Sequence, residues 1–527
     1  MPEYLSPGVY IEEVSTGPRP IEGVGTAMAG FVGFADNGPI NKPTLITSWE
    51  QYVKVFGGLQ EGGTRTGFSK YGYYLGQSIF GFFNNGGRRC YVTRVNPQIS
   101  DGDKNPSSLK ALEIQIPSRA SKAIAALTFQ PKQASSSDIT VEVTSPSSSD
   151  AGEGGFNLRI TSDTVEEVFE NLVLGKPQKG AKATSVAEAI ATSKVVTVVV
   201  EEKSSGTLAE RAPEIGTHVI SASQSLEMIP VQSNTFIGNV DDRSGLEGLE
   251  IADDVTMVVA PDIMWAYENG KIDKDGVKAV QLAMISHCER LMDRVAIIDP
   301  LPNMTPQQVK KWREKESNFD SSYAALYYPW VKVNGPDGKP IAVPPSGHMA
   351  GIWSRSDNER GVHKAPANEV VRGALEPAYE VTKNEQDTLN PTGVNCIRTF
   401  TARGVRVWGA RTLSSDPQWR YLNVRRLFNF VEKSCFNGTQ WIVFEPNNKD
   451  LWERIKRDLT AFMKGVWRDG ALFGSTPEEA FRIVVDESNN PEDERDRGFL
   501  TIDIALAPVK PAEFVRMRFG QKMQNGE

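Results

Sequence analysis

The chain has 527 residues, 39% of them hydrophobic and 24% charged, with a formal net charge of −8. That length exceeds what one hydrophobic core fills, so several domains are expected, and the composition is that of an ordinary globular protein. An acidic balance disfavours general nucleic-acid binding, and the sequence has no run of about 18 apolar residues of the kind that spans a membrane.

Residues 1–7 carry neither the basic nor the apolar part of a signal peptide, so folding in the cytoplasm is expected. Residues 7–14, Pro-Gly-Val-Tyr-Ile-Glu-Glu-Val, alternate briefly and then break at Thr16-Gly17-Pro18-Arg19-Pro20, which predicts one short strand on a proline-rich tether. Residues 26–34 read as a buried strand. Ser48-Trp49-Glu50-Gln51 reads as a capping box opening a short helix to Phe56, and 73–83 as a helix ending at Gly86-Gly87.

Between Tyr91 and Trp265 there is no Tyr, Cys or Trp. Residues 99–233 are rich in Ser, Thr, Ala, Lys and Val, with alternating runs such as Ile139-Thr140-Val141-Glu142-Val143. Alternation and β-branching predict a mostly β domain inserted into a larger core. After it, 255–260 and 295–298 read as strands flanking a helix over 276–294, and Thr305-Pro306 as an N-cap followed by proline at the first helical position. Strand–helix–strand alternation predicts α/β packing.

In the last third, Asp416-Pro417 is expected to open a helix to about Cys435, 441–444 to be a strand, and Asn448 to cap a long helix to about 467. Strands are expected at 481–485, 499–507 and 513–519, the last after the tether Pro508-Val509-Lys510-Pro511. A lone strand on a tether leaves its backbone groups unpaired and must add to a sheet edge, its own or a neighbour's.

Catalytic motifs are scarce. There is no H-E-x-x-H, G-x-S-x-G or P-loop, and Gly23-x-Gly25 lacks its third glycine, the position being Met28. Asp273-Lys274-Asp275-Gly276 echoes a calcium loop without the remaining ligands. His348 and His363 flank a Gly- and Arg-rich stretch and are the candidate general bases. Cys90, Cys288, Cys396 and Cys435 form no C-x-x-C and read as free thiols. No catalytic residue, cofactor or metal site is predicted. Arg454, Arg457, Lys464 and Arg468 share one side of the 448–468 helix, which also carries Lys449, opposite Leu451, Ile455, Leu459 and Phe462. Arg403, Arg406, Arg411 and Arg425, with Arg420 and Arg426, form a second basic cluster suited to bidentate ion pairs between or within subunits.

Several segments resemble the tail sheath family of contractile phage tails and related injection systems. They are residues 4–14 with Gly30-Phe31-Val32-Gly33, then Gly245 to Glu250 with Asp253-Asp254-Val255 and Pro261-Asp262. More specific are Pro344-Pro345-Ser346-Gly347-His348-Met349-Ala350-Gly351, residues 359–368, Leu389-Asn390-Pro391-Thr392-Gly393-Val394-Asn395, residues 406–413 and residues 420–427. The resemblance covers about 1–95 and 235–522. It implies an α/β multidomain chain with a subtilisin-like-shaped α/β core (23–98 plus 234–388), an inserted β-rich outer domain (99–233), and an α+β C-terminal domain (389–510). Strand-exchanging arms are implied at 1–22 and 511–527. It implies a structural subunit, not an enzyme, of a helical homo-oligomer, with six-fold rings around an inner tube protein. A baseplate, terminator or cap proteins and sheath paralogues are the further partners, with no nucleic acid and no membrane insertion. The particle would assemble in the bacterial cytoplasm. Val9, Tyr10, Ile11, Glu12 and Val14, and Phe514, Val515, Met517 and Phe519, are the residues expected to exchange between subunits. The 448–468 helix is expected to dock on the tube, and the four arginines to lie at interfaces. A sheath of a true contractile-tailed phage is the near alternative, and a subtilisin-like hydrolase the distant one.

Overall fold

The computed structural model describes residues 21–59, 65–69, 71–95, 114–119, 125–131, 139–148, 152–162, 165–175, 183–200, 207–220 and 231–518. The chain divides into two compact units: residues 97–230 form one, and the segments before and after them form the other.

The larger unit is organised by an eight-stranded sheet. Its strands are β1 (Ala29–Gly33), β2 (Thr44–Ile46), β3 (Cys90–Arg94), β4 (Met257–Val259), β5 (Val295–Ile298), β6 (Ala324–Tyr328), β7 (Val394–Phe400) and β8 (Gly404–Val407). They lie in the order β2-β3-β1-β4-β5-β6-β7-β8. The inner pairings are parallel, and only β2 and β8 run antiparallel at the edges. A parallel sheet covered on both faces needs apolar residues in both directions, so β1, β5 and β6 are buried at every position. Successive side chains point to opposite faces. Val295, Ile297, Ala325 and Tyr327 join one core, and Ala296, Ile298, Ala324 and Leu326 the other.

The first of these cores is covered by α1 (Trp49–Phe56), α2 (Leu75–Asn84) and α4 (Ser346–Arg360), and the second by α3 (Lys274–Leu291). Ser48 caps α1 as expected, accepting from the Gln51 amide at 3.1 Å. Thr305 and Gln308 form a reciprocal capping box on the helix Pro306–Lys311. Asp273 caps α3, accepting from the Gly276 amide at 2.8 Å. The Gly347 and Gly351 of the Pro344–Gly351 motif have a packing role. A Cβ there would stand 2.4 Å from the carbonyl oxygens of Ser78 and Phe82, so only glycine lets α4 lie on the α2 backbone.

A third core lies where α5 (Leu422–Gly438) and α6 (Lys449–Arg468) pack with a two-stranded antiparallel ribbon, β9 (Phe481–Val484) and β10 (Asp503–Leu506). The main sheet continues to residue 407, past the expected boundary between 388 and 389, because β7 pairs with β6.

In the other unit, a five-stranded sheet (Thr184–Ser185, Val165–Val173, Phe156–Ser162, Ile139–Thr144, Gly216–Ile220) and a three-stranded sheet (Val196–Val200, Ala125–Pro131, Ile114–Pro117) share one apolar core. The alternation read in Ile139–Thr144 is there: every second residue is buried.

Four expectations need correction. Residues 441–444 are not a strand: Gln440–Ile442 is a 3-10 turn, and Phe444 sits at φ 69° with its ring fully exposed. The helix after Asp416 starts at Leu422, because 416–420 bend first and Arg411 bridges to Tyr421. The strand expected over 499–507 narrows to Asp503–Leu506. Residues 511–518 pair with no strand among the described residues.

Candidate functional site

Three of the motifs that carried the family resemblance, residues 389–395, 406–413 and 420–427, converge on the place where the C-terminal segment leaves the body. Asn395 and Arg411 exchange bonds: the Arg411 amide donates to Asn395 Oδ1 at 2.7 Å, and Asn395 Nδ2 to the Arg411 carbonyl at 2.8 Å. Arg411 Nη1 donates to the Asn390 carbonyl at 3.0 Å. The remaining guanidinium edge grips Glu513 bidentately, Nε to Oε1 at 2.8 Å and Nη2 to Oε2 at 2.7 Å. Asn390 Nδ2 and the Tyr421 hydroxyl also donate to this carboxylate, at 2.9 and 3.1 Å. Burial by itself would push the Glu513 carboxyl up, but the bonds from Arg411 and Asn390, the Arg411 charge and the Tyr421 bond together hold it below the usual carboxylate range.

Immediately beyond this carboxylate the chain is open to solvent. Phe514, Val515 and Met517 are each about three-quarters exposed, at 75%, 74% and 75%. A segment that joins no sheet among the described residues and exposes apolar side chains has what an exchangeable strand presents. Phe519 lies outside the described residues, as do Val9, Tyr10, Ile11, Glu12 and Val14 of the N-terminal segment.

The interface arginines separate into two kinds. Arg411 and Arg425 are buried and bound within their own chain. Arg425 lies over the rings of Trp419 and Tyr323, at 4.3 and 4.6 Å, and donates to Asn429 and Glu432. Arg403 is exposed and covers the Phe400 ring at 4.8 Å, while Arg406 donates to the Asn368 carbonyl at 2.7 Å. Sequence reading missed Asn390, Asn395, Tyr421 and Glu513. The asparagines stood inside a quoted motif, and an acidic residue two positions after a proline tether was the available signal for Glu513.

Helix α6 is amphipathic as read: Leu451, Ile455, Leu459 and Met463 are buried, and Asn448 caps it through the Leu451 amide at 3.0 Å. Lys449, Arg454, Arg457, Lys464 and Arg468 are exposed, but three have carboxylate partners nearby. Lys449 meets Glu487 at 2.8 Å, Arg454 meets Glu445 at 3.1 Å, and Arg457 meets Asp458 at 3.3 Å. Lys464 and Arg468 have no ion pair among the described residues.

Of the candidate bases, one is buried and one half-buried. His348 is buried between α4 and α2, with its ring against Gly81, and burial lowers its pKa to about 4. Its neighbour Ser346 donates to Asp299 from both its amide, at 2.9 Å, and its hydroxyl, at 2.5 Å, so the Asp299 carboxylate caps α4. His363 is half-buried and lowered by burial. Cys90, Cys288 and Cys396 are buried free thiols and Cys435 is half-buried.

Comparison with known proteins agrees with this architecture. The family model for the phage tail sheath protein central domain matches residues 250–413, and that for the phage tail sheath C-terminal domain matches 414–522. The chain is 26% identical over 181 residues to the tail sheath protein of Vibrio phage KVP40, covering 34% of this chain and 26% of that protein. It is 27% identical over 243 residues to a putative prophage major tail sheath protein of Pseudomonas aeruginosa strain UCBPP-PA14, covering 45% and 60%. The match thus spans less than two thirds of either relative. Its fold is similar to the sheath of an extracellular contractile injection system (PVC) in the contracted state, with TM-score 0.57, 22% identity and 99% of each chain covered. Two contiguous domain matches running from the middle of the main sheet to the latched C-terminal segment make this chain a member of the phage tail sheath family.

Proposed function

We propose that the chain is the repeating subunit of the contractile sheath of a phage-tail-like injection system. Copies polymerise helically around an inner tube, in six-fold rings above a baseplate, and are held extended in a metastable state. The sleeve then shortens and drives the tube through a target envelope. The single observation that carries this reading is the C-terminal segment, which leaves a fixed root and then exposes Phe514, Val515 and Met517 with no strand beside it among the described residues.

Such a segment is stabilised by adding to a sheet edge of another copy. The β9–β10 ribbon is the natural recipient, since it has only two strands and already packs on α6. Residues 1–22, with Val9, Tyr10, Ile11, Glu12 and Val14, are the second donor. A contact between two different patches does not close on itself and therefore builds a helix. Subunits then rotate as rigid bodies while the backbone mesh holds. Helix α6 faces the tube, with Lys464 and Arg468 as the cations available to it. The likeness in fold to an injection-system sheath over 99% of the chain supports that choice of system.

The experiment is negative-stain microscopy of the full chain and of a chain lacking residues 1–14. Long tubes from the first and folded, non-polymerising protein from the second are expected. A full chain that stays monomeric at high concentration, or long tubes from the truncation, would count against the proposal.

A further inference from the structure

We propose that Glu513 and Arg411 are positioning residues for assembly: they fix the root of the C-terminal arm, so that the arm pivots between Glu513 and Phe514 and not at the proline tether before it. The purpose of the arm rests on the sheath reading. The location of the pivot is a property of the single chain.

Proline-rich tethers read as hinges, and residues 508–511 invite that reading. The structure ties them down instead. Ala507 lies across from Phe473, whose amide donates to its carbonyl at 2.8 Å, and Pro508 bridges to Leu472. The Val509 amide donates to the Ala471 carbonyl at 3.1 Å, and Asn423 Nδ2 donates to the Val509 carbonyl at 3.0 Å. The Glu513 amide turns back onto the Pro511 carbonyl at 3.0 Å. The Pro508 and Pro511 rings restrict φ on this stretch. The stretch is therefore held by the body at Ala507, Pro508 and Val509, and by its own ring at Pro511.

Glu513 closes the series. Four donor atoms from three residues, Asn390, Arg411 and Tyr421, converge on its two carboxylate oxygens. Arg411 cannot swing to follow a moving arm, because Asn395 brackets its backbone and the Asn390 carbonyl takes its third nitrogen. One residue later the restraints end: residues 514–518 are all exposed. A neighbouring copy that captures 514 onward thus pulls on a point fixed to the body, and the direction of departure is set before capture. Pre-setting that direction lowers the ordering cost of association.

The test uses the full chain in a Cys435→Ser background. Nitroxide pairs join Lys383→Cys, on the exposed side of the helix Lys383–Leu389, to either Ala512→Cys or Met517→Cys. In the monomer, the 383–512 distance is expected to be narrow and the 383–517 distance broad. On assembly the first stays put and the second narrows. Glu513→Ala should broaden 383–512 to resemble 383–517 and cut the assembled fraction by about tenfold or more, the scale of losing a charged hydrogen bond. Glu513→Gln, which keeps one acceptor oxygen and the side-chain volume, should fall between, and it carries the test if the alanine variant does not fold. Arg516→Ala, beyond the pivot, should leave the 383–512 distance unchanged. Equal breadth at 512 and 517 in the parent chain, or a 383–512 distance unaffected by both Glu513 variants, overturns the proposal. So does a purely structural outcome in which unfolding shifts while both distance distributions stay as they were. If the parent forms no tubes, the sheath reading fails, and the monomer distances still decide the pivot.

Discussion

Asp357 and Arg426 meet through two bonds of 2.5 and 2.9 Å, with both side chains only 3% exposed. The pair joins α4 to α5. It also takes in the chain entering β1, because Thr26 donates its hydroxyl to Asp357 Oδ2 at 2.7 Å and accepts Arg426 Nη2 on its carbonyl at 3.0 Å. The Trp353 ring lies 4.8 Å beneath the guanidinium. Removing one partner strands a buried charge, so Asp357→Ala is expected to cost about 3–5 kcal/mol, whereas the double change Asp357→Leu with Arg426→Met should recover much of that. Urea unfolding of the two variants measures both numbers, and equal losses would contradict the assignment.

Two buried carboxyls set an opposite kind of pH dependence from Glu513. Burial raises Asp262 to about 7, although it accepts from the Phe34 and Tyr74 amides, and raises Asp299 to about 7 against its bonds from Ser346. A carboxyl whose folded pKa lies above its unfolded value, about 3.9 for Asp, stabilises the fold fully below that unfolded value and loses the contribution as pH rises through the folded one. Stability should therefore fall between about pH 4 and pH 7, by about 1.4 kcal/mol per pH unit for each such group titrating. Glu513, held below its ordinary value, does the reverse: its latch is present above about pH 4.3 and weakens as pH falls through the folded value. Denaturant midpoints across pH 5–8, with nitroxide mobility at residue 512 on acidification, separate the two.

The α2–α4 contact makes a steric prediction. With a Cβ at Gly351 placed 2.4 Å from the Phe82 carbonyl oxygen, Gly351→Ala must push two helices apart. Overpacking of this kind costs about 1–3 kcal/mol, and Gly347→Ala should behave alike. By contrast Gly465→Ala, which meets nothing within 4 Å, should be neutral or slightly stabilising because alanine is the better helix former. Parallel urea titrations of the three variants test the contrast.

Charge reversal on α6 distinguishes cations that are already satisfied from those that are not. Lys464→Glu with Arg468→Glu is expected to leave folding within about 0.5 kcal/mol of the parent, both being exposed, yet to yield sheaths emptied of tube or contracted early. Arg454→Glu should have a smaller effect on tube docking, since Arg454 is engaged with Glu445 and lies 5.1 Å from the Trp441 ring. Counting tube-filled particles by negative stain reads the difference, and identical counts for the two variants would remove α6 from the tube interface.

Local signals decided much of the secondary structure. Asn448 with its apolar spacing placed α6 to within a residue, Thr305-Pro306 placed its helix start, and the apolar run at 295–298 became β5. Caps and periodicity are read from neighbours in sequence, which is why they were legible. The same kind of signal misled at 441–444, where an apolar run pairs with no strand among the described residues and the chain turns, leaving Phe444 exposed at φ 69°. Tertiary structure alone decided which arginines are internal and where the C-terminal arm is free. Arg411 and Glu513 are separated by 102 residues, and Val509 is held by Ala471 and Asn423. Composition and spacing set where helices and strands begin; whether a proline tether bends or is pinned depends on partners brought to it by the rest of the fold.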